Sequence, residues 1–185
     1  MSKRYFACVY GGANERISSE HKTKIEELGR LIAKNDFSLV YGAGATGCMG
    51  AAARGFRENG GYIMGVTPRF MGDFEDVFDC DNTIKVDTMA ERKTLMEKHA
   101  DLYLIAPGGI GTMDEFFQII TLKYLEQMET PIVVLNLDGF YDSLLALMDS
   151  LIAQKAAGEK IRTLYHVVTD IEDETLQSML AEIKK

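Results

Sequence analysis

Residues 101–115 of the chain read DLYLIAPGGIGTMDE, and this stretch decides the fold class. Its first six residues are mostly apolar and predict a short β-strand. The strand leads into Gly108, Gly109 and Gly111, which stand within four positions, and a helix is predicted from residue 112 to residue 128. A strand that passes through a glycine-rich turn into a helix is the repeating unit of parallel α/β sheets.

The same turn predicts an anion-binding site. Glycines let the backbone approach a ligand closely, and the start of the following helix presents free N–H groups at its positive end. Phosphate is the usual occupant of such a site. The hydroxyl of Thr112 would add one donor to those near Gly108, Gly109 and Gly111. The alternative is a plain strand-to-helix turn without a ligand.

Apolar runs and helical segments alternate along the rest of the chain as well. This alternation predicts an α/β fold with a doubly wound, mostly parallel sheet and helices on both faces. Runs that are apolar throughout fit strands covered on both sides. Strands are predicted at 4–10, 37–41, 62–66, 82–86, 101–106, 132–136 and 165–168, and helices at 18–34, 48–59, 88–100, 112–128, 140–156 and 171–184.

The size and composition predict one soluble domain that covers residues 1–185. Of these residues, 46% are hydrophobic and 26% are charged, as in ordinary globular proteins. The net charge of −8 argues against a nucleic-acid-binding protein, which needs a basic face. No apolar stretch is long enough to span a membrane. The three cysteines form no CxxC pair, which favours reduced thiols and a cytoplasmic protein.

A second glycine loop follows the predicted strand 37–41. Residues 42–47 read GAGATG and match the pattern G-x-G-x-x-G of dinucleotide-binding loops. That hypothesis also requires an acidic residue at the end of the next strand, and the first acid there is Asp73. The missing acid disfavours an NAD-linked oxidoreductase. We keep Gly42 and Gly44 as candidate ligand-binding positions, with a tight structural turn as the alternative.

The predicted helix 88–100 carries two candidate cations. Arg92 falls in line with Met89 and Met96 on the apolar side, where a guanidinium is costly unless it is paired or lines a site. The alternatives are a side chain that extends to solvent at the edge of the sheet, or a structural ion pair. Lys93 lies further around the helix, either on a solvated face or as a second cation near the ligand.

Glu115 has two possible roles. Thr112-x-x-Glu115 matches a capping box, in which Glu115 would bond the N-terminus of its own helix. Its position one turn beyond a phosphate loop favours chemistry instead. Asp114 fits a first-turn acid that stabilises the helix dipole. The three histidines are scattered without metal-ligand spacing, so no metal site is predicted.

At these motifs the chain resembles the Lonely Guy (LOG) family, the cytokinin riboside 5′-monophosphate phosphoribohydrolases. The resemblance implies a Rossmann-like fold, a homodimer with the site near the subunit contact, and no metal or organic cofactor. It also implies that Arg92 and Glu115 are the catalytic pair. The resemblance is carried by residues 107–112 with Glu115, by residues 89–93 upstream, and by residues 40–42, 49–50, 65–68 and 135–141.

The resemblance implies hydrolysis of the N-glycosidic bond of a purine-type nucleoside 5′-monophosphate, either AMP or AMP modified at N6. Positive charge develops on the sugar as this bond breaks, and a carboxylate such as that of Glu115 stabilises it or activates water. Arg92 would keep that carboxylate ionised and orient it. The resemblance gives no proton donor for the leaving base. Lysine decarboxylation, an older label of the family, lacks a lysine that stands out as a Schiff-base former.

The chain departs from the family pattern at three places. Ala43 interrupts a run of glycines, Leu122 and Tyr124 replace a frequent Trp and Gln, and Gly12-Ala13 stands where two serines are common. These departures affect base recognition more than the catalytic pair. The alternative function is a non-catalytic nucleotide-binding or carrier module on the same fold. Such a module would need the glycine loop but not the Arg–Glu pair.

Overall fold

The computed structural model describes residues 3–74 and 76–184, and within them the fold is a seven-stranded, all-parallel sheet covered by six helices. This confirms the predicted Rossmann-like α/β class. The strands are β1 Tyr5–Tyr10, β2 Phe37–Tyr41, β3 Ile63–Pro68, β4 Asn82–Val86, β5 Leu102–Ile105, β6 Ile132–Leu135 and β7 His166–Val168. The helices are α1 Ser19–Lys34, α2 Gly47–Glu58, α3 Met89–His99, α4 Ile110–Tyr124, α5 Asp142–Ala153 and α6 Glu174–Glu182.

The strand order is β4-β3-β2-β1-β5-β6-β7, so the direction of winding reverses at β1. β1 and β5 lie side by side in parallel, with Tyr10 opposite Ile105 at their carboxyl ends. The chain leaves these two ends toward opposite faces of the sheet. A crevice therefore opens between them, which is where open α/β sheets bind their ligands.

Two apolar layers hold the helices against the sheet. Alternate residues of β1 point to opposite faces, so Ala7 and Val9 join the layer under α1 and α2, whereas Cys8 and Tyr10 join the layer under α3, α4 and α5. The Tyr10 ring stacks on Tyr103 of β5 with 5.7 Å between the ring centroids. The aliphatic and aromatic side chains at the centre of both layers are fully buried, which explains why the central strands read as apolar throughout.

Helix α4 differs from its predicted range at both ends. It begins at Ile110 because Gly109 is its N-cap, and it ends at Tyr124 because Glu126 adopts the left-handed backbone conformation with φ 58°. Its buried face enters the core through Phe116, and Leu125 beyond its last turn is 57% exposed. The sequence of this helix is apolar nearly all round, which predicts burial on every side, and that prediction is wrong for its C-terminal end.

The sequence predicts a loop between β3 and β4, at residues 67–81, and the structure is irregular over only part of this range. β3 continues through Pro68 because it pairs with β4, with Pro68 opposite Val86. One 3₁₀ turn, Arg69–Asp73, follows. Val77 then bridges Gly44 beyond β2, and Asp81 accepts from the Ile63 N–H at the amino end of β3, so the described part of the stretch runs from the carboxyl edge of the sheet back to its amino edge. Among residues 3–74 and 76–184, no helix combines the length and apolar character needed to cross a bilayer.

The three cysteines are free thiols that differ in burial, and this predicts a graded reactivity. Burial raises the pKa of Cys8 and brings that of Cys48 to about 12, so neither forms the reactive thiolate near neutral pH. Cys80 is only partly buried. We expect a native-state titration with a thiol reagent to modify Cys80 first and the other two only after unfolding. Fast modification of a Cys80→Ser variant would contradict this.

Candidate active site

A cavity of about 240 Å³ opens at the crevice between β1 and β5. Its walls come from the turn after β1, the first turns of α3 and α4, and one residue of α2. Arg92 and Glu115 both reach it, as do the glycines at the start of α4. The lining residues are Gly11, Gly12, Ala13, Asn14, Met49, Met89, Arg92, Gly109, Gly111, Thr112 and Glu115.

Arg92 enters the cavity from the first turns of α3. The start of this helix is fixed by a capping box between Thr88 and Glu91, which the pattern Thr-x-x-Glu predicts. The guanidinium donates from Nε to the carbonyl of Val66 at 3.2 Å and from Nη2 to the carbonyl of Gly42 at 3.2 Å. Arg92 is 7% exposed, so the alternative of a side chain extended to solvent is wrong. Two backbone carbonyls, one in β3 and one directly after β2, therefore bond the buried guanidinium and offset part of the cost of burying its charge.

Glu115 faces this cation from α4. The N-cap of α4 is Gly109 and not Thr112, so Glu115 is not the N3 residue of a Thr112-x-x-Glu115 capping box. The capping alternative for Glu115 is therefore wrong. Its Oε1 lies 3.8 Å from Nη1 of Arg92, with both side chains less than one-tenth exposed. This separation is about 1 Å longer than the roughly 2.7–2.9 Å that is typical of a direct charge-assisted hydrogen bond.

The glycine turn before α4 contains two kinds of glycine. A Cβ added at Gly108 would lie 2.1 Å from Oγ1 of Thr112 and 2.7 Å from the nitrogen of Gly12, so packing excludes any side chain there. A Cβ at Gly109 or Gly111 would meet open space, and both residues line the cavity. The uncapped first turn of α4 therefore faces the cavity with its N–H groups.

Tyr141, which the sequence did not identify as a site residue, stabilises this turn through hydrogen bonds of its hydroxyl group. Its hydroxyl donates to the carbonyl of Ala106 at 2.6 Å and accepts from the N–H of Gly108. Burial raises the pKa of Tyr141, so the hydroxyl keeps its proton. Asn136 holds Tyr141 in turn, since its Oδ1 accepts from the Tyr141 N–H at 2.7 Å. Gly108 therefore directs its N–H to Tyr141, away from the cavity.

Replacing Tyr141 with phenylalanine removes both hydrogen bonds and keeps the ring. We expect a loss of about 1–3 kcal/mol in the free energy of unfolding, because a buried carbonyl and a buried N–H lose their partner. Chemical denaturation followed by circular dichroism measures this loss. Tyr124→Phe, at an exposed position on the same helix layer, is the matched control. Equal stability of both variants would show that the Tyr141 hydroxyl does not hold the turn.

Three other candidate residues lie outside the cavity wall. The ammonium of Lys93 bonds Asp114, with 2.9 Å between Nζ and Oδ2. The sequence predicts Asp114 in the first turn of its helix, but α4 begins at Ile110 and its first turn holds no acidic residue, so that prediction is wrong. Gly44 forms an isolated bridge with Val77. A Cβ at Gly42 would lie 1.7 Å from Nη2 of Arg92, so this glycine makes room for the guanidinium.

The glycine loop at residues 42–47 therefore has a structural use. It follows β2, one strand away from the crevice where a dinucleotide loop stands. Backbone groups of the loop bond the stretch after residue 75, from the Ala45 N–H to the Asp76 carbonyl at 2.9 Å and from the Phe78 N–H to the Ala43 carbonyl at 2.8 Å. This geometry further disfavours the NAD hypothesis.

Sequence reasoning missed the turn after β1 and the two methionines that line the cavity. The only local signal for the turn was Gly11-Gly12 directly after a strand. A methionine in a helical pattern is usually a core residue, which is the prediction for Met49 and Met89, but Met89 is 37% exposed at the cavity. Among the described residues, no group of three or more potential ligands is placed to hold a metal ion.

Residues 49–179 match the protein-family model described as "possible lysine decarboxylase". Among curated proteins, the chain is 33% identical over 143 residues to the probable cytokinin riboside 5′-monophosphate phosphoribohydrolase LOGL5 of Oryza sativa subsp. japonica. It is 30% identical over 148 residues to the cytokinin riboside 5′-monophosphate phosphoribohydrolase LOG3 of Arabidopsis thaliana. These matches cover 77% and 80% of this chain, and 58% and 69% of the two relatives.

The fold is also similar to solved structures. The molybdenum cofactor carrier protein of Chlamydomonas reinhardtii superposes with a TM-score of 0.73 over 97% of this chain and 99% of its own. Its sequence identity is 21%. At that identity the likeness concerns the fold alone.

Proposed function

Because the chain belongs to the family described as possible lysine decarboxylase, which includes the LOG phosphoribohydrolases, we propose that it is a phosphoribohydrolase. Its substrate is a purine-type nucleoside 5′-monophosphate, AMP or AMP modified at N6. The products are the free base and ribose 5-phosphate. The observation that carries this proposal is the buried Arg92–Glu115 pair, 3.8 Å apart, in a cavity bordered by the uncapped start of α4.

The parts of the cavity fit the parts of the substrate. The first turn of α4 offers N–H groups at Gly109 and Gly111 and the hydroxyl of Thr112, which suit a phosphate. Glu115 stands one turn further along the same helix, where the ribose would follow. The thioethers of Met49 and Met89 give the cavity polarisable apolar walls that suit a flat base.

The proposed reaction breaks the bond between the anomeric carbon and the base nitrogen. Positive charge grows on the ribose, and the carboxylate of Glu115 stabilises it and accepts a proton from the attacking water. The water oxygen bonds the anomeric carbon, and the electron pair of the broken bond stays on the base nitrogen. That nitrogen takes up one proton, which balances the proton that water gives to Glu115, so the net reaction adds one water molecule. Arg92 holds Glu115 in place through Nη1, since its other two nitrogens, Nε and Nη2, donate to the Val66 and Gly42 carbonyls.

Lysine decarboxylation fits this cavity poorly. A pyridoxal-dependent enzyme needs a lysine that forms a Schiff base at its site. The described residues that line the cavity include no lysine. Lys93, the neighbour of Arg92, is paired with Asp114.

The test is a panel of nucleoside 5′-monophosphates, with AMP and isopentenyl-AMP first and pyrimidine monophosphates as controls. Free base is measured by chromatography. We expect base from at least one purine monophosphate, and the ranking of the panel identifies the preferred base. Tight binding without any release of base would instead support a non-catalytic carrier, the alternative raised by the likeness in fold to a carrier protein.

We also propose that the enzyme is a cytoplasmic homodimer, as the family resemblance implies. The exposed Tyr124 and Leu125 at the end of α4, 41% and 57% accessible, support a subunit contact there. Sedimentation of the wild-type chain and of Leu125→Asp tests this. A wild-type monomer at all concentrations would contradict it.

A further inference from the structure

We infer that Asn14 binds the phosphate of the substrate through its side-chain amide and thereby selects phosphorylated over unphosphorylated nucleosides. This inference rests on the proposed function and adds a specificity residue to it. Asn14 lies in the turn after β1, which joins the glycine turn in lining the cavity. Gly11, Gly12 and Ala13 carry no polar side-chain group, so Asn14 is the polar side chain that this turn contributes to the wall.

The turn is held rigidly against the phosphate-binding region. The Gly12 N–H donates to the carbonyl of Pro107 at 3.1 Å, and the Gly12 carbonyl accepts from the Cys48 N–H at 2.8 Å. The hydroxyl of Thr46 donates to the carbonyl of Ala13 at 2.7 Å. Asn14 directly follows these fixed residues, and its own carbonyl accepts from the Ile17 N–H at 3.2 Å, so its backbone is held before a ligand binds, which lowers the cost of holding that ligand.

The orientation of the Asn14 amide follows from its own hydrogen bond. Its Oδ1 accepts from the Arg16 N–H at 2.9 Å, in the manner of an Asx turn. Only the oxygen of an amide accepts, so the two amide groups are distinguished by chemistry. The oxygen is occupied by the backbone, and the NH₂ group with two donors is what Asn14 can offer to the cavity.

The position of the turn favours the phosphate over the ribose. A Cβ added at Gly12 would lie 3.1 Å from Cα of Gly108, so the two turns touch at the start of the glycine segment. The catalytic Glu115 stands further along α4. Donors from Asn14 and from the first turn of α4 therefore face one anion from two sides, and charge-assisted hydrogen bonds of this kind are the strong ones.

The test compares AMP and adenosine as substrates of the wild type, Asn14→Asp and Asn14→Ala. Aspartate keeps an oxygen that accepts from the Arg16 N–H, so the turn is preserved, but it replaces both donors with a negative charge. We expect Asn14→Asp to raise KM for AMP about 100-fold and Asn14→Ala about 10-fold, with kcat changed less than about threefold. Turnover of adenosine stays within about twofold in both variants, because it carries no phosphate to lose.

Asn82→Asp is the matched control. It makes the same chemical and charge change at an exposed position at the start of β4. That position lies at the amino ends of the parallel strands, whereas the cavity lies at their carboxyl ends. Its KM for AMP stays within about twofold of the wild type. A wild-type KM for AMP in Asn14→Asp, or an equal loss with adenosine, would overturn the inference.

The outcome for Asn14 is separable from that for the proposed function. If the wild type releases no base from any purine monophosphate, the proposed function fails. Calorimetric titration of AMP then decides the inference alone. Binding that weakens about 100-fold in Asn14→Asp supports the phosphate contact, and unchanged binding overturns it.

Discussion

Glu115→Gln lowers kcat for AMP about 1,000-fold, while the melting temperature changes by only a few degrees; this is the result we expect. Glutamine has nearly the same shape but no charge, so it neither stabilises the positive ribose nor accepts a proton from water. Arg92 keeps its two bonds to the carbonyls of Val66 and Gly42. The measurement is release of free base at saturating substrate, with thermal unfolding followed in parallel.

Asp114→Asn is the matched control for this prediction. It neutralises the neighbouring acid of the same helix turn, whose side chain is 57% exposed and bonds Lys93. We expect less than about a threefold effect on kcat, since exposed charges are well screened. If Glu115→Gln retained activity and only lowered stability, the carboxylate would be a structural partner of Arg92 and the proposed hydrolysis would lose its central group.

Arg92→Ala is expected to abolish measurable turnover and to lower the free energy of unfolding by about 3 kcal/mol, because it leaves a buried carboxylate without its cation. The variant also removes the donors to the two carbonyls that end β2 and β3. Turnover must therefore be measured well below the melting temperature of the variant. Added guanidinium restores part of the activity if the missing charge is the cause.

Gly42→Ala tests the position of Arg92 without removing its charge. The new Cβ would lie 1.7 Å from Nη2 of the guanidinium, so the side chain must move. We expect kcat to fall about 100-fold, since a small misplacement of a catalytic group is costly. Gly60→Ala, at a glycine with φ 67° and no heavy atom near the added Cβ, controls for general strain. Full activity of Gly42→Ala would show that catalysis does not depend on the present position of the Arg92 guanidinium.

Arg92 and Glu115 show which features of the site could be predicted from the sequence and which required the structure. Arg92 was identified because a cation on the apolar side of a helix needs a reason, and its partners could not be named. The carbonyl groups that it bonds belong to Val66 in β3 and to Gly42 directly after β2. For Glu115 the local pattern allowed a cap or a catalytic group, and the choice depended on which residue begins α4. The structure places that N-cap at Gly109.

Tyr141 and Asn14 show a different limit. Tyr141 acts on a turn about 35 residues earlier in the chain, and Asn14 joins the cavity through the pairing of β1 with β5. Neither residue stands in a pattern that has a local meaning. Such contacts are set by the order of strands in the sheet, which a single sequence does not specify.

While the resemblance to a family implied the candidate pair, the sequence pattern itself predicted the α/β class, the approximate range of every strand and helix, and the glycine turn. It could do so because hydrophobic periodicity and turn chemistry are local properties of the chain. Only the tertiary structure decided which glycines face a cavity and which make room for packing, that Lys93 pairs with Asp114, and that Arg92 meets Glu115. Those facts depend on side chains brought together by the winding of the sheet from β1 outward in both directions.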